Sequence, residues 1–516
     1  MIKTGLRNSN YIEINKISKA LLLFSIVSAS LLFTAGFYYK DLGCDGGWYS
    51  YPAFAISRSG NAGENLESIE NIKSIEGIKA IFGFKTYYSI RIFYTALWFK
   101  YVSKSIFFLK VLSLLELVPL VVLMYFLISK FCQDKVIALM LLALFINDKT
   151  ILLNAASDYR PDNMVAALSC LTFLIMLKQN SVSALIAAIF AGVLMMLTHI
   201  TAPIPLFCII CFFVLRNILS GNHEVKDNYK YVLVGMIALF VFLNRGQIFD
   251  ALFLSNGESL PSGVNAWERI LNVWEKGPTF ISSKEFYRWK TYFFSSNVAQ
   301  LLVLIMGCIL FFKKWPPTLQ NENTGLALIL SIFMGFILFA ALDPHKADMH
   351  VIPIIPFFFL FLSHGISSNT LNRKALTYIL VGLVCFASFA SIALAWKISF
   401  EGKNFGYNIV KVRDSFEELI KNNDREYLIV GPTEIWPFIE EDKNVLIVDK
   451  TRSGKDFQIL EPVIDSVDYI IINNDYRGCK WMETFLGYFR NLSLKEVFSI
   501  GGEDEFINVF KLEKKS

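Results

Sequence analysis

Apolar positions in this chain gather into long uninterrupted runs instead of recurring as one face of a helix. A water-soluble amphipathic helix would alternate an apolar stripe with a polar one every turn. Here the runs extend over roughly 15–25 residues with few charges, the length a helix needs to cross about 30 Å of hydrocarbon. They cover Ile17–Tyr38, Ile106–Phe131, Val136–Leu152, Asn163–Leu177, Val182–Leu197, Pro203–Leu215, Tyr231–Leu243, Val298–Phe312, Leu326–Leu342, Val351–His364 and Ala375–Trp396. The pattern predicts about eleven membrane-spanning helices. It changes after Lys397. Ile409, Val412, Phe416, Leu419 and Ile420 form a helical stripe, and three short apolar runs follow at Tyr427–Val430, Val445–Val448 and Tyr469–Ile472. Polar connections between such runs predict buried strands of a mostly parallel sheet. Glu496–Ile500 and Phe506–Leu512, parted by Gly501 and Gly502, read as a terminal strand pair. The expected fold class is therefore a polytopic α-helical membrane protein, residues 1–400, with a C-terminal soluble α/β domain, residues 401–516.

Orientation follows from the basic residues. Lys3, Arg7, Lys16 and Lys19 precede the first run, and alternate connections hold Lys130 with Lys135, Lys178, Arg216 with Lys226 and Lys230, Lys313 with Lys314, and Arg373 with Lys374. The positive-inside rule puts these connections and the N-terminus in the cytoplasm. An odd number of spans puts the tail outside. The outward face then receives long loops at about 39–105 and 244–297, the turns Asp158–Asp162, Thr198–Ala202 and Asp343–His350, and the tail. The first run is too long for a cleaved leader and lacks a small-residue cleavage site, so it is expected to remain as a span.

Composition narrows the class further. Of 516 residues 54% are hydrophobic and 18% charged, against about 25% charged in soluble domains. The net charge of +5 reads as loop basicity, not as a nucleic-acid footprint. Among eight cysteines, only Cys44 and Cys479 fall in expected aqueous segments, and no zinc-type spacing or disulfide framework appears. No internal repeat suggests the duplicated halves of a secondary transporter.

Candidate chemistry sits along the outward edge. Directly after the first run stand Asp41, Asp45, Gly46, Gly47, Trp48, Tyr49 and Tyr51. A carboxylate beside low-dielectric surroundings holds its proton more tightly and suits a general base, while the rings suit headgroup depth or a sugar face. An aromatic belt with a turn-forming aspartate is the structural alternative. Ser157-Asp158-Tyr159-Arg160-Pro161-Asp162 places an arginine against the charge bias, as a clamp on phosphate or on Asp158, or as a purely structural ion pair. His199 occupies the next outward turn, and Asp343, His345, Lys346, Asp348 and His350 crowd another. Histidines with carboxylates admit a divalent metal, though the spacing matches no specific ligand pattern, and the sequence requires no cofactor. Lys284, Arg288 and Lys290 alternate with Tyr287 and Trp289, as the lining of a lipid-donor groove or as an amphipathic interfacial helix.

An acidic residue, a small residue and aromatics just after the first span resemble the first outward loop of the C-type (GT-C) glycosyltransferase superfamily. The segment is most similar to bacterial aminoarabinose-transferase-like and protein-O-mannosyltransferase-like members, whose pattern is Asp-Glu-x-x-Tyr. Asp45 and Tyr49 match, and Gly46 replaces the Glu, removing one expected metal ligand. Asp41 matches a more variable upstream acid. Phe84-Lys85-Thr86-Tyr87-Tyr88 is similar to the family's Lys-Pro-Pro-Leu-x-Tyr segment, with Thr86 and Tyr87 in place of two prolines. Arg160-Pro161-Asp162 resembles its Arg-Pro-acid sequence. The resemblance implies Asp45 as catalytic base or acceptor-positioning carboxylate. It implies Lys85, Arg160, Lys346 and Arg288 toward the donor phosphate, and Asp41, Trp48, Tyr49, Asp158, Asp162, His199, His345 and His350 toward substrate. The bland alternative for Lys85 is an interfacial lysine reaching to headgroups.

What the resemblance implies is an inverting transferase in a bacterial inner membrane. It would move a sugar from a polyprenyl-phosphate donor to a hydroxyl of a lipid, lipopolysaccharide or other envelope glycan at the outer face. The partners are then membrane lipid, donor and acceptor. A transporter or lipid-carrier flippase is the main alternative, pointed to by Glu116 inside the second run and by Asp148 with Lys149 in the third. A non-catalytic scaffold that binds through its tail is another.

Overall fold

The computed structural model describes residues 2–41, 49, 50, 53, 57, 89–178, 182–199, 201–220, 225–245, 248, 283–312, 322–342, 348–367, 373–401, 407–420, 428–431, 444–447, 467–473, 492–501 and 506–514. In chain order the helices are α1 (Ile2–Tyr39), α2 (Ile90–Tyr101), α3 (Ile106–Phe131), α4 (Lys135–Ile146), α5 (Lys149–Leu153), α6 (Asp162–Met176), α7 (Val182–Thr198) and α8 (Pro203–Leu219). There follow α9 (Val225–Leu243), α10 (Ser283–Lys290), α11 (Val298–Phe312), α12 (Glu322–Leu342), α13 (Ile355–Ser367), α14 (Arg373–Glu401) and α15 (Asn408–Ile420). Each apolar run read from the sequence falls mainly on one of these helices or on a bent pair of them, with Val351–His364 beginning in the 3-10 turn Asp348–Ile354. Among the described residues four helices are long and apolar enough to cross a membrane, or up to six if each bent pair is one span. Shorter apolar helices make up the rest of the bundle.

The distribution of side chains fits a lipid solvent. In hydrocarbon every backbone N–H and C=O must bond within the chain, which leaves the helix as the form for a lone span. Large apolar residues such as Leu23, Leu115, Phe190, Phe240 and Phe389 lie exposed on the outside. Inside, hydroxyls and amides join helices. Ser25 of α1 lies 3.2 Å from Ser388 of α14, and Ser28 donates to Asn147 at 2.9 Å, just beyond α4. Asn147 in turn donates to Ser388 at 3.3 Å.

The third run is bent by 51° between α4 and α5. Asp148 makes the bend possible. Its Oδ1 caps the new helix by accepting the Ile151 N–H at 3.0 Å, and its Oδ2 accepts the Tyr292 hydroxyl at 2.8 Å. A single π turn, Asn154–Asp158, follows α5. Gly36 lets α1 approach that turn, since a Cβ there would lie 2.9 Å from the Ala156 Cβ. The chain then reverses at Tyr159 and enters α6 behind Pro161.

Glu116 also has an internal explanation. α2, within the segment read from sequence as loop, turns back into α3 through residues 102–105. Ser89 and Ser105 cap the two helices by accepting the N–H groups of Arg91 and Phe107. Arg91 then meets Glu116 with both prongs: Nε donates to Oε1 at 2.9 Å and Nη2 to Oε2 at 2.5 Å. Ser113 accepts a further Arg91 N–H at 3.0 Å, and the Tyr94 hydroxyl donates to Glu116. Neither acid of the apolar runs is therefore a bare charge on a transport path.

The tail forms a five-stranded sheet in the order β2-β1-β3-β5-β4. The strands are β1 (Leu428–Gly431), β2 (Asn444–Ile447), β3 (Tyr469–Asn473), β4 (Leu492–Gly501) and β5 (Phe506–Lys514). β1 pairs in parallel with β2 and β3, while β5 runs antiparallel to β3 and β4. α15 covers one face, with Phe416 edge-on to Tyr469 at 4.8 Å. One buried cluster runs from Val412, Phe416, Ile471 and Val509 through Ile92, Ala96 and Phe99 of α2 to Ile106 and Leu109 of α3 and to Tyr159. The tail, α15 with its sheet, is thus joined to the α2–α3 hairpin by one apolar cluster. Asp41, at the end of α1, accepts the Ile409 N–H in the first turn of α15 at 3.4 Å, where the helix dipole favours a negative charge.

Removing one partner of a buried ion pair leaves the other charge unmatched, at a cost of about 3–5 kcal/mol. Arg91→Met and Glu116→Leu should each lower the thermal midpoint in detergent strongly. The double variant should recover a large part of the loss. Additive losses in the double variant would show that the two residues are not coupled.

Candidate functional site

The reversal between α5 and α6 carries the densest polar chemistry. Arg160 and Asp162 are both buried, and Arg160 Nε donates to Asp162 Oδ2 at 2.9 Å. The Arg160 backbone N–H donates to Asn154 Oδ1 at 3.3 Å, closing the π turn from beneath. The sequence offered Asp158 as the arginine's carboxylate, and its side chain lies outside the described residues; among those described, Arg160 meets Asp162, two residues on in the first turn of α6. A guanidinium held through Nε on a fixed carboxylate has a set plane and keeps its positive charge.

Asp162 Oδ1 faces His199, at the end of α7, with His199 Nδ1 at 3.6 Å. That spacing makes an ion pair only if the ring is protonated. Burial disfavours the charged ring and, with Arg160, Arg245 and His350 nearby, lowers its pKa to about 3 against the pull of Asp162. His199 is therefore neutral at physiological pH. Its Nδ1 lies 2.8 Å from the Thr201 hydroxyl and 3.4 Å from the Thr201 backbone N, which ties the ring to the turn after α7.

Two further rings close on this imidazole. His350 approaches edge-on with centroids 5.7 Å apart, and Tyr49 lies at 6.4 Å. Tyr49, His199 and His350 are buried. Thus the segment after the first span, the α5–α6 and α7–α8 turns and the stretch before α13 meet at one place. The N-cap of α2 joins them, with the Ser89 hydroxyl donating to the Thr198 carbonyl at 2.5 Å. Asp41 is placed differently, as a cap on α15. Arg288 is buried with its guanidinium 3.7 Å above the Phe339 ring, while neighbouring Tyr287 is exposed.

Asp45, Trp48, Lys85, His345, Lys346 and the side chain of Asp158 lie outside the described residues. Among the described residues no three His, Cys, Asp or Glu side chains are grouped to hold a metal ion. Sequence reasoning passed over Arg245, whose charge reaches His199. The signal was present, because Arg245 follows an apolar run at the end expected to be poor in cations, as Arg160 does.

The described helices and the C-terminal sheet share their fold with a solved structure. The particular likeness is to ArnT from Cupriavidus metallidurans bound to undecaprenyl phosphate, at a TM-score of 0.52 and 11% identity over 95% of this chain and 98% of that one. Lower similarity extends to an Archaeoglobus fulgidus oligosaccharyltransferase (TM-score 0.48, 11% identity, 95% of this chain and 73% of that one). It extends also to the arabinofuranosyltransferase AftD from Mycobacteria (TM-score 0.44, 12% identity, 96% and 40%). No family model matches the chain, and no curated protein matches it. At 11% identity the likeness to ArnT defines the fold alone.

The neutral His199 gives a pH signature. The unfolded chain takes up a proton on this residue near its ordinary value of 6.5, whereas the folded protein does so only near 3. Between those values the unfolded state binds more protons, so stability rises with pH through this window and falls on acidification. Wild type should lose thermal stability from pH 6.5 downward more steeply than His199→Gln, measured by melting in detergent between pH 7.5 and 4. Parallel curves would contradict a buried neutral imidazole.

Proposed function

We propose that this chain is an inverting glycosyltransferase using a polyprenyl-phosphate sugar at the outer face of a bacterial inner membrane. The acceptor is a hydroxyl of a lipid, lipopolysaccharide or other envelope glycan. One observation carries the proposal: separate connections at the loop end of an ArnT-like bundle converge on a buried Arg160–Asp162–His199–His350 cluster beside Tyr49. The eleven spans and cytoplasmic N-terminus expected from the sequence put that end, and the sheet, outside. A polyprenyl carrier presents its anomeric phosphate only at the bilayer surface, so the groups that act on it have to gather there.

In this reading Asp45, four residues before Tyr49 in the sequence, draws the proton from the acceptor hydroxyl. The oxygen attacks the anomeric carbon from the face opposite the phosphate, and polyprenyl phosphate leaves. Arg160, with its plane set by Asp162, and Lys85 stabilise the negative charge that develops on the departing phosphate. Lys346, and Arg245 beside His199, add positive potential. Neutral His199 is suited to hydrogen-bond a sugar or acceptor hydroxyl, together with His350, Tyr49, Trp48, Asp158 and His345. Asp41 and Arg288, by their packing, shape the surroundings. The sheet over the α2–α3 hairpin forms the wall on which the acceptor rests. The flippase alternative loses its main support now that Glu116 and Asp148 have internal partners.

The test measures release of undecaprenyl phosphate by mass spectrometry. Purified protein is given a panel of undecaprenyl-phosphate hexoses and pentoses with envelope glycolipid as acceptor. Asp45→Asn should fold, bind undecaprenyl phosphate as wild type does, and lose about 10²–10⁴-fold in rate. A wild-type rate in this variant would sink the base assignment.

A further inference from the structure

Tyr159 stands immediately before Arg160 and is the non-glycine residue with positive φ among the described residues, at φ 47° and ψ 46°. A left-handed backbone is unfavourable for an aromatic residue, because its Cβ crowds the following carbonyl. Glycine or asparagine would adopt it readily, so the ring must be kept for something else. Its contacts show what that is. The Arg91 guanidinium lies 3.8 Å above the ring centroid, and the hydroxyl lies 2.5 Å from Thr95 Oγ1, one turn further along α2. Thr95 in turn donates to the Arg91 carbonyl at 2.6 Å.

Arg91 has little freedom of its own, since Glu116, Ser113 and Tyr94 hold its Nε and Nη2. The ring is therefore gripped from α2, and the main chain beneath it is fixed by the Tyr159 N–H bond to the Asn154 carbonyl at 3.2 Å. Were Tyr159 right-handed, the π turn would continue and Arg160 would leave in another direction. Left-handed, the chain reverses, the Arg160 N–H reaches Asn154 Oδ1, and its Nε reaches Asp162.

We propose that Arg91, Thr95 and Tyr159 act as positioning residues that set the Arg160 guanidinium for the donor phosphate, linking the end of the first outward loop to the phosphate ligand. The proposal rests on the reading of Arg160 given above. Arg91 and Thr95 belong to none of the sequence motifs, and their effect on Arg160 passes through the conformation of Tyr159.

Conformation and packing predict opposite orders for two variants. Tyr159→Leu keeps an apolar side chain but opposes a left-handed backbone, whereas Tyr159→Gly loses every ring contact and adopts that backbone freely. Binding of undecaprenyl phosphate to purified protein in nanodiscs, read by native mass spectrometry, should weaken about tenfold or more in Arg160→Ala, the scale of one charge-assisted hydrogen bond. Tyr159→Leu should weaken by a similar factor and Tyr159→Gly by much less, even if glycine melts lower. Arg160→Ala combined with Tyr159→Leu should bind no worse than Arg160→Ala alone, because both remove the same contact. Glycine binding as weakly as leucine, or additive losses in the double variant, would overturn the positioning role while leaving the phosphate ligand intact. Unchanged binding in Arg160→Ala would instead overturn the phosphate reading. Amide exchange over residues 154–165 then decides the positioning role, with faster exchange expected in leucine than in glycine and the reverse order refuting it.

Discussion

The two-pronged pair between Arg91 and Glu116 is the interaction on which the loop end of this molecule depends. Taking a guanidinium and a carboxylate out of water costs several kcal/mol per ion, and only good geometry with further hydrogen bonds offsets it. Both carboxylate oxygens accept from Arg91, and Ser113 and Tyr94 take up the neighbouring positions. Glu116 lies on α3 about 15 Å from its first residue at 1.5 Å per residue. To satisfy it, α2 has to fold back against α3. That requirement turns a stretch of loop into a hairpin, and the hairpin shares an apolar cluster with the C-terminal unit and clamps Tyr159.

From there the site follows by contact. Tyr159 sets the direction of Arg160, Arg160 binds Asp162, and Asp162 faces His199, which is flanked by His350 and Tyr49. The members of this series are buried, so the polar groups are desolvated together. Such preorganised charge acts far more strongly on a developing anion than the same groups would in water. The apolar helices supply the scaffold, and their serine and alanine seams let them pack closely enough for the connections to meet.

Much of this scaffold was legible in the sequence because lipid imposes a simple local rule: a span is a contiguous apolar run. The strands were legible for a similar reason, and Leu428–Gly431, Asn444–Ile447 and Tyr469–Asn473 fall within a residue of the runs that announced them. The site was legible only in part. Arg160, Asp162, His199, His350 and Tyr49 stand in connections where polar residues draw notice, and they do come together. The contact of Arg160 with Asp162 was not legible, because it depends on a backbone reversal that no pattern specifies. Arg91 was invisible for a deeper reason. Its partner lies 25 residues away, across a turn, on a helix whose run marked Glu116 only as an interruption. Arg245 was missed although it obeys the same charge argument that singled out Arg160.

The central claim is that a polyprenyl phosphate is handled at the end of the bundle where Arg160, His199 and His350 converge. Photocrosslinking with a diazirine placed near the phosphate of undecaprenyl phosphate, mapped by peptide mass spectrometry on protein in nanodiscs, tests it most directly. The account predicts crosslinks to the segments around Tyr49, Tyr159–Asp162, Thr198–Thr201 and His350. Crosslinks concentrated at the opposite end, around Lys178 and between Arg216 and Lys230, would contradict it.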